Sequence, residues 1–423
     1  MSPFSKLKNR FIGYLYVVLG SGFSRGMSLA SSVIVARTLG PTQFGLFSIF
    51  YVTMVLTWQL PQAFDTSYIR YAKTSRCAGE KKEFLKTAIL QKFLYACIVL
   101  GVSYPLSSFL ANYCFYKPET HTILMVSLFC GVFLSFLMTI ASVFQEKERF
   151  GIFTILNSFY TASVLFTLLF FMVSKYELTL ETVVFVHLIA AVIVGVASII
   201  VLFKKTGNIF RINVAALKKS FSLGKWIFGV GCAFFIFQRL DVLFLTRYVD
   251  FESIGIYSAA SQIIMIVSLM TGALSGVSLP RACTIKESSK AFKAFTKESF
   301  CVIATINVFI LVLYFVSPFF IRLLYGNEYL FAASIMKVLL IGWLFAVFYT
   351  PFSFLFYVFD DSRVRFLLEL FKVALAVLLL YWLVPMYGLL GGAISMSIAL
   401  SVNASISIII LCTNNKYRGV VPC

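Results

Sequence analysis

Apolar positions along this chain fall into twelve runs separated by short polar segments. They lie near residues 13–36, 44–66, 87–110, 121–144, 151–174 and 182–203. A second six lie near 222–246, 254–279, 299–320, 331–357, 364–384 and 388–412. Each approaches the roughly 20 residues that a helix needs to cross the hydrocarbon of a bilayer. Inside lipid every backbone N–H and C=O must be bonded within the protein, which selects helices for runs of this kind. The pattern therefore predicts an all-α polytopic membrane protein of about 12 transmembrane helices, in two sets of six.

Composition agrees. The 423 residues are 60 % hydrophobic and 13 % charged, where a soluble domain carries roughly a quarter charged residues. Twelve spans and their loops use nearly the whole length, leaving little for a soluble domain. The net charge of +19 would suit a nucleic-acid partner, but the placement of the charges argues for a membrane instead. Of 36 Lys and Arg, 27 fall in alternate loops and the two tails, and 6 fall in the intervening loops. The remaining three, Arg25, Lys92 and Arg239, lie within spans. By the positive-inside bias the basic loops and both termini are cytoplasmic, and no nucleic-acid partner is expected.

Lys6, Lys8 and Arg10 precede an apolar stretch that runs past Arg25 to about Ala36. It reads as an uncleaved first helix rather than a signal peptide. The two largest basic loops, Arg70–Lys86 and Lys204–Lys225, are amphipathic. Their simplest role is as surface helices on anionic membrane lipids. The expected division is an N-terminal six-helix bundle (1–203), a cytoplasmic amphipathic linker (204–225) and a C-terminal six-helix bundle (226–423).

The halves resemble each other. Arg37 to Ser48 (RTLGPTQFGLFS) and Arg247 to Ser258 (RYVDFESIGIYS) share their Arg, Gly and Ser at a constant offset of 210 residues, about half the chain. Each half holds an even number of spans, so the halves point the same way through the membrane as parallel repeats. Two such bundles would face each other across a central cavity. The Gly-Pro pair of the first loop is replaced by Asp250-Phe251 in the second, so the symmetry is inexact.

Ionisable and amide groups inside spans are costly, and they mark cavities or internal partners. Ser21, Arg25, Ser28 and Ser32 form one stripe of span 1, and Gln59, Gln62 and Thr66 another in span 2, beside Asp65. Span 7 carries Gln238, Arg239 and Asp241, and span 8 carries Ser258, Ser261, Ser268 and Ser275. The serines fit close packing as well as cavity lining, since Gly22-Phe-Ser-Arg-Gly26, Gly272-Ala-Leu-Ser-Gly276 and Gly388-Leu-Leu-Gly-Gly392 have small-xxx-small spacing. Packing does not account for a guanidinium deep in a span, so Arg25 reads as cavity-facing. Its planar donors suit phosphate or diphosphate. Arg239 and Asp241 fit either a cavity or ion pairs with other helices. Lys92 fits snorkelling from its span end, and Glu369 and Lys372, at i, i+3, fit each other. The cysteines are scattered without metal-ligand spacing, so neither a metal nor a cofactor is expected.

These residues carry a resemblance. Ala36-Arg37-Thr38-Leu39-Gly40-Pro41 with Phe44-Gly45, Arg70, Asp241 and Ile254-Gly255-Ile256-Tyr257-Ser258 resemble the polysaccharide-flippase (Wzx-like) branch of the multidrug/oligosaccharidyl-lipid/polysaccharide exporter superfamily. Leu324-Tyr325-Gly326-Asn327-Glu328-Tyr329 and Val384 to Ala393 are similar to it as well. The resemblance implies an O-antigen-type flippase of the inner membrane. Such a protein moves an undecaprenyl-diphosphate-linked oligosaccharide by alternating access, coupled to H+ or Na+, and has glycan polymerase and chain-length machinery as candidate partners. Arg25, Arg239, Gln59, Gln62 and Gln238 would then bind substrate, and Asp65 and Asp241 would couple the ion. The competing readings are a multidrug/cation antiporter of the same fold, which would want an acidic cavity, and a membrane glycan polymerase. A polymerase would want a sizeable outer loop, and the loops on that side are about ten residues long.

Overall fold

The computed structural model of the chain describes residues 3–74, 77–206, 214–283, 289–359 and 361–413, and every regular element among them is a helix. Ten stretches are long and apolar enough to cross a membrane, two of them, Gly22–Ile69 and Arg363–Thr413, with 48 and 51 residues. At 1.5 Å per residue, straight helices of that length would extend about 70 Å, more than twice the hydrocarbon thickness. Neither is straight. The first turns at Gly40 (φ 73°, ψ 172°) and the second at Gly388 (φ 54°, ψ −127°), backbone conformations that glycine adopts at little cost.

Side-chain geometry shows that both turns are reversals. Ser28 Oγ and the Tyr51 hydroxyl, 23 residues apart on either side of Gly40, meet at 3.1 Å; a straight helix would hold them about 34 Å apart. Beyond Gly388, a Cβ on Gly391 would lie 2.1 Å from the carbonyl oxygen of Leu383. Each long element is thus a helical hairpin, and the ten stretches supply the twelve crossings that the apolar runs predict.

The chain forms two compact units, Met1–Phe235 and Ile236–Cys423. The first contains α1 (Pro3–Gln59), α2 (Gln62–Thr74), α3 (Ala78–Gly101), α4 (Ser103–Phe109), α5 (His121–Glu146), α6 (Phe150–Val173) and α7 (Leu180–Thr206). Helix α5 is its hub, packing against α1, α2, α3, α6 and α7. Small residues bring it close. A Cβ on Gly131 would fall 2.5 Å from Thr57 in α1, and one on Gly195 of α7 would fall 2.6 Å from Phe133. Association in lipid depends on such close approach, because burial from lipid gains little.

Helix α8 (Val214–Tyr248) runs from the first unit into the second, which holds α9 (Phe251–Cys283), α10 (Ser289–Tyr325), α11 (Ala332–Tyr349), the single turn α12 (Leu355–Val358) and the hairpin α13 (Ser362–Thr413). Here α11 packs against α9, α10 and α13. Gly342 approaches α13 so closely that a Cβ would lie 2.6 Å from Ser397 Cα, while the Ser397 hydroxyl donates to the Val338 carbonyl at 2.7 Å.

Three expectations are corrected. The basic segment Arg70–Lys86 is not a separate surface helix. Its described residues form the end of α2 and the start of α3, and Tyr71, Phe84 and Leu85 are buried in one apolar cluster with Ala88, Ile89 and Phe136. The Tyr71 and Phe84 rings stack at 4.9 Å. The apolar face of this segment packs on α5. Helix α3 accordingly starts at Ala78, nine residues before the apolar run does. Third, Gly22 and Gly26 make no close helix contact among the described residues, since a Cβ on either would meet nothing within 4 Å there. The linker expected at 204–225 falls partly outside the described residues.

The repeated loop takes two forms. In the first unit the turn rests on Gly40-Pro41 inside α1. At the matching offset, α8 ends at Tyr248 and α9 begins at Phe251. Asp250 Oδ1 there accepts the Ser253 N–H at 3.2 Å, capping α9. Glycine's freedom in one half is replaced by a side-chain cap in the other.

Candidate functional site

The first unit buries an ion pair that links three helices. Asp65, 3 % exposed on α2, accepts from the Lys92 ammonium of α3 at 2.5 Å. Lys92, wholly enclosed, also donates to the Ser135 carbonyl of α5 at 2.6 Å. The Thr139 hydroxyl, one turn along α5, lies beside the same carboxylate. Lys92 therefore does not snorkel. Moving a lone ammonium or carboxylate out of water costs several kcal/mol each, and mutual attraction with extra hydrogen bonds is what makes such a pair tolerable.

Nearby on α1, Gln59 is buried with its side-chain oxygen unbonded, and Gln62 is half-buried at the start of α2. The stripe of span 1 is graded. Ser32 is buried, Ser28 is half-buried against Tyr51, and Arg25 is exposed. Ser21 lies outside the side chains described.

A second polar centre in this unit has no counterpart in the sequence reading. His187 of α7 is 4 % exposed and shares a 2.6 Å hydrogen bond through Nδ1 with the Tyr160 hydroxyl of α6. The rings of Phe47, Phe50 and Tyr51 surround it at 5.4, 5.6 and 6.4 Å. Tyr160 also reaches Met54 Sδ at 3.4 Å. An isolated histidine in an apolar run gives no pattern to find it by; only the alignment of three helices reveals the cage.

The second unit keeps Gln238, Arg239 and Asp241 together on α8, facing α9. Gln238 donates to the Ser268 hydroxyl at 3.4 Å, and buried Arg239 reaches Met265 Sδ at 3.5 Å. Asp241 accepts from the Tyr257 hydroxyl and from the Val242 N–H, both at 2.8 Å, one on each oxygen. Its hydrogen-bond donors are thus neutral groups, in contrast to Asp65. Serines 258, 261 and 268 lie on this side of α9, whereas the side chain of Ser275 lies outside those described. On α13, Glu369 and Lys372 pair with each other as their spacing predicts, with the ammonium 4.4 Å from the centroid of the Phe237 ring. No group of three or more metal-ligating side chains occurs among the described residues.

Comparison with known proteins follows from this architecture. The model of the family described as "Polysaccharide biosynthesis protein" matches residues 12–286, more than half of the chain. A Shigella flexneri protein named "Putative O-antigen transporter" is 23 % identical over 391 residues, covering 89 % of this chain and 92 % of that protein. Among solved structures, the lipid II flippase MurJ in an inward closed conformation superposes with a TM-score of 0.75. It has 17 % identity and covers 93 % of this chain and 87 % of its own. An inward-facing multidrug resistance MATE family transporter of the MOP superfamily gives 0.71 at 14 % identity, over 94 % and 96 %. At these identities the solved structures bear on the fold alone. The chain is a multi-pass membrane protein with the fold of these transporters.

Proposed function

Because the chain belongs to the polysaccharide biosynthesis protein family, we propose that it is a flippase rather than an enzyme, moving undecaprenyl-diphosphate-linked oligosaccharide units across the bacterial inner membrane. Residues 1–203 and 226–423 act as two six-helix halves joined by 204–225, both termini are cytoplasmic, and the halves alternate access to a site between the leaflets. A transporter of polysaccharide precursors must hold an anionic headgroup inside a medium that disfavours charge. The observation that carries the reading is an exposed guanidinium within a span, Arg25 of α1. Its planar donors match a diphosphate in paired geometry.

Arg239 is buried beside Met265, so in this reading it engages the headgroup only when α8 and α9 rearrange. Gln59, Gln62 and Gln238 supply neutral amide donors and acceptors for sugar hydroxyls. Asp241, whose hydrogen-bond donors are neutral while the Arg239 charge acts on it from a distance, is the carboxylate best suited to take up a coupling H+ or Na+. Use of Asp65 would require Lys92 to leave it.

Arg25→Ala in reconstituted vesicles tests the headgroup role with lipid-linked oligosaccharide as cargo. Loss of charge-assisted hydrogen bonds predicts binding weaker by about 10- to 100-fold, with Arg25→Lys intermediate because it keeps the charge and loses the fork. A fully inserted Arg25→Ala protein that flips the cargo at the native rate overturns it.

A further inference from the structure

Asp65 and Asp241, two of the buried carboxylates of the spans, are hydrogen-bonded in opposite ways, Asp65 by an ammonium and Asp241 by neutral groups, and the difference has a functional consequence. The surroundings of the Lys92 ammonium that the structure defines are all oxygen: Asp65 Oδ2 at 2.5 Å and the Ser135 carbonyl at 2.6 Å, with the Thr139 hydroxyl beside the carboxylate. Carboxylate, backbone carbonyl and hydroxyl oxygens are the donor set of a hard metal cation. Neither Asp65 Oδ1 nor Thr139 Oγ1, both buried, makes a well-formed hydrogen bond, so the site holds more ligand capacity than the ammonium uses. Its oxygens come from two separate helices, α2 and α5, which the lysine of α3 bridges. The Glu369–Lys372 pair, by contrast, lies within one helix.

We propose that the Lys92 ammonium is a tethered cation, seated in an oxygen-lined site of the first unit that accepts a monovalent metal ion once the lysine is removed. A lysine ammonium is a compact point charge with freely rotating donors, and so mimics such an ion. Because the chain supplies this cation itself, the Asp65 site has no ion to bind or release. Under the transport reading, on which this consequence alone rests, ion coupling falls to Asp241 in the second unit. The site itself does not depend on what the protein transports.

The test is the thermal unfolding of the purified full-length protein in detergent, in sodium chloride against choline chloride at equal ionic strength. The native protein is expected to melt at the same temperature in both salts. Lys92→Ala is expected to melt lower in choline and to recover by about 3–6 °C in about 0.3 M sodium, the size expected when a weakly bound ion stabilises only the folded state. Adding Asp65→Asn is expected to abolish that recovery. A Lys92→Ala melt that is equal in the two salts, or a recovery that survives Asp65→Asn, overturns the proposal.

Should Lys92→Ala fail to accumulate, Lys92→Gln is measured in the same way. If neither accumulates, Asp65→Asn/Lys92→Gln decides the matter. Rescue by removing the carboxylate supports a lysine that serves as the cation of the Asp65 site, and no rescue overturns the proposal. None of these readouts involves flipping, so the site can fail while the transport reading stands, and the reverse.

Discussion

The Tyr257 hydroxyl donates a 2.8 Å hydrogen bond to Asp241 Oδ2, tying α9 to α8 through a carboxylate buried in the second unit. Tyr257 is itself wholly enclosed, so the bond cannot be exchanged for one to water. Tyr257→Phe is expected to cost about 1.5–3 kcal/mol, the range for hydrogen bonds to charged groups. Thermal unfolding in detergent measures it, and an unchanged melting temperature would show that the bond contributes nothing.

Asp241→Asn keeps an acceptor for Tyr257 while losing the charge. It is expected to insert, to melt lower than native because its amide nitrogen cannot accept from the Val242 N–H, and to lose the dependence of transport on an imposed ion gradient. Vesicle uptake with and without the gradient separates the two effects. Gradient-driven transport at the native level in this variant would remove Asp241 from the coupling step.

Breaking the Asp65–Lys92 pair from one side leaves the other charge buried and uncompensated. Asp65→Asn alone is expected to destabilise by about 3–5 kcal/mol, and Asp65→Asn with Lys92→Met by clearly less. A double-mutant cycle reports this directly; additive single effects would mean that the two side chains do not interact in the membrane.

His187→Phe fills the aromatic cage but leaves the Tyr160 hydroxyl without its 2.6 Å partner. An orphaned buried hydroxyl costs about 1–3 kcal/mol, whereas removing both polar groups is nearly neutral. His187→Phe is therefore expected to melt lower than native, and His187→Phe/Tyr160→Phe to recover most of the loss. A double variant no more stable than the single would place the cost in ring packing instead.

Alanine at Gly391 would meet the Leu383 carbonyl at 2.1 Å, and at Gly342 the Ser397 backbone at 2.6 Å. Backbone cannot swing aside as a side chain can, so each is expected to cost about 3 kcal/mol or more, at the upper end of overpacking. At Gly231, where a Cβ meets nothing within 4 Å, alanine is expected to stay within about 1 kcal/mol of native. Expression and melting temperature of the three variants rank them.

The spans were legible because lipid imposes one rule on every stretch of apolar residues, and Gly40 and Gly388 lie close to where the apolar runs break. What is local in sequence was also legible, as in the i, i+3 pair Glu369–Lys372. Contacts between helices were not. Lys92 and Asp65 stand 27 residues apart on different elements, and the only trace of their pairing is that two opposite charges occupy neighbouring spans. His187 carried no trace at all. The segment 70–86 misled because an amphipathic pattern is the same whether its apolar face meets lipid or protein, and Tyr71 and Phe84 meet α5.

The reversals at Gly40 and Gly388 also bear on biogenesis. No charged residue lies between Thr38 and Gln43, or between Trp382 and Gly392. The tip of each hairpin is therefore uncharged, and Arg37 is the one ionised residue within three positions of either turning glycine. Under the orientation that the charge bias predicts, most Lys and Arg stay on the side of synthesis, and the six of the intervening loops are the ones carried across.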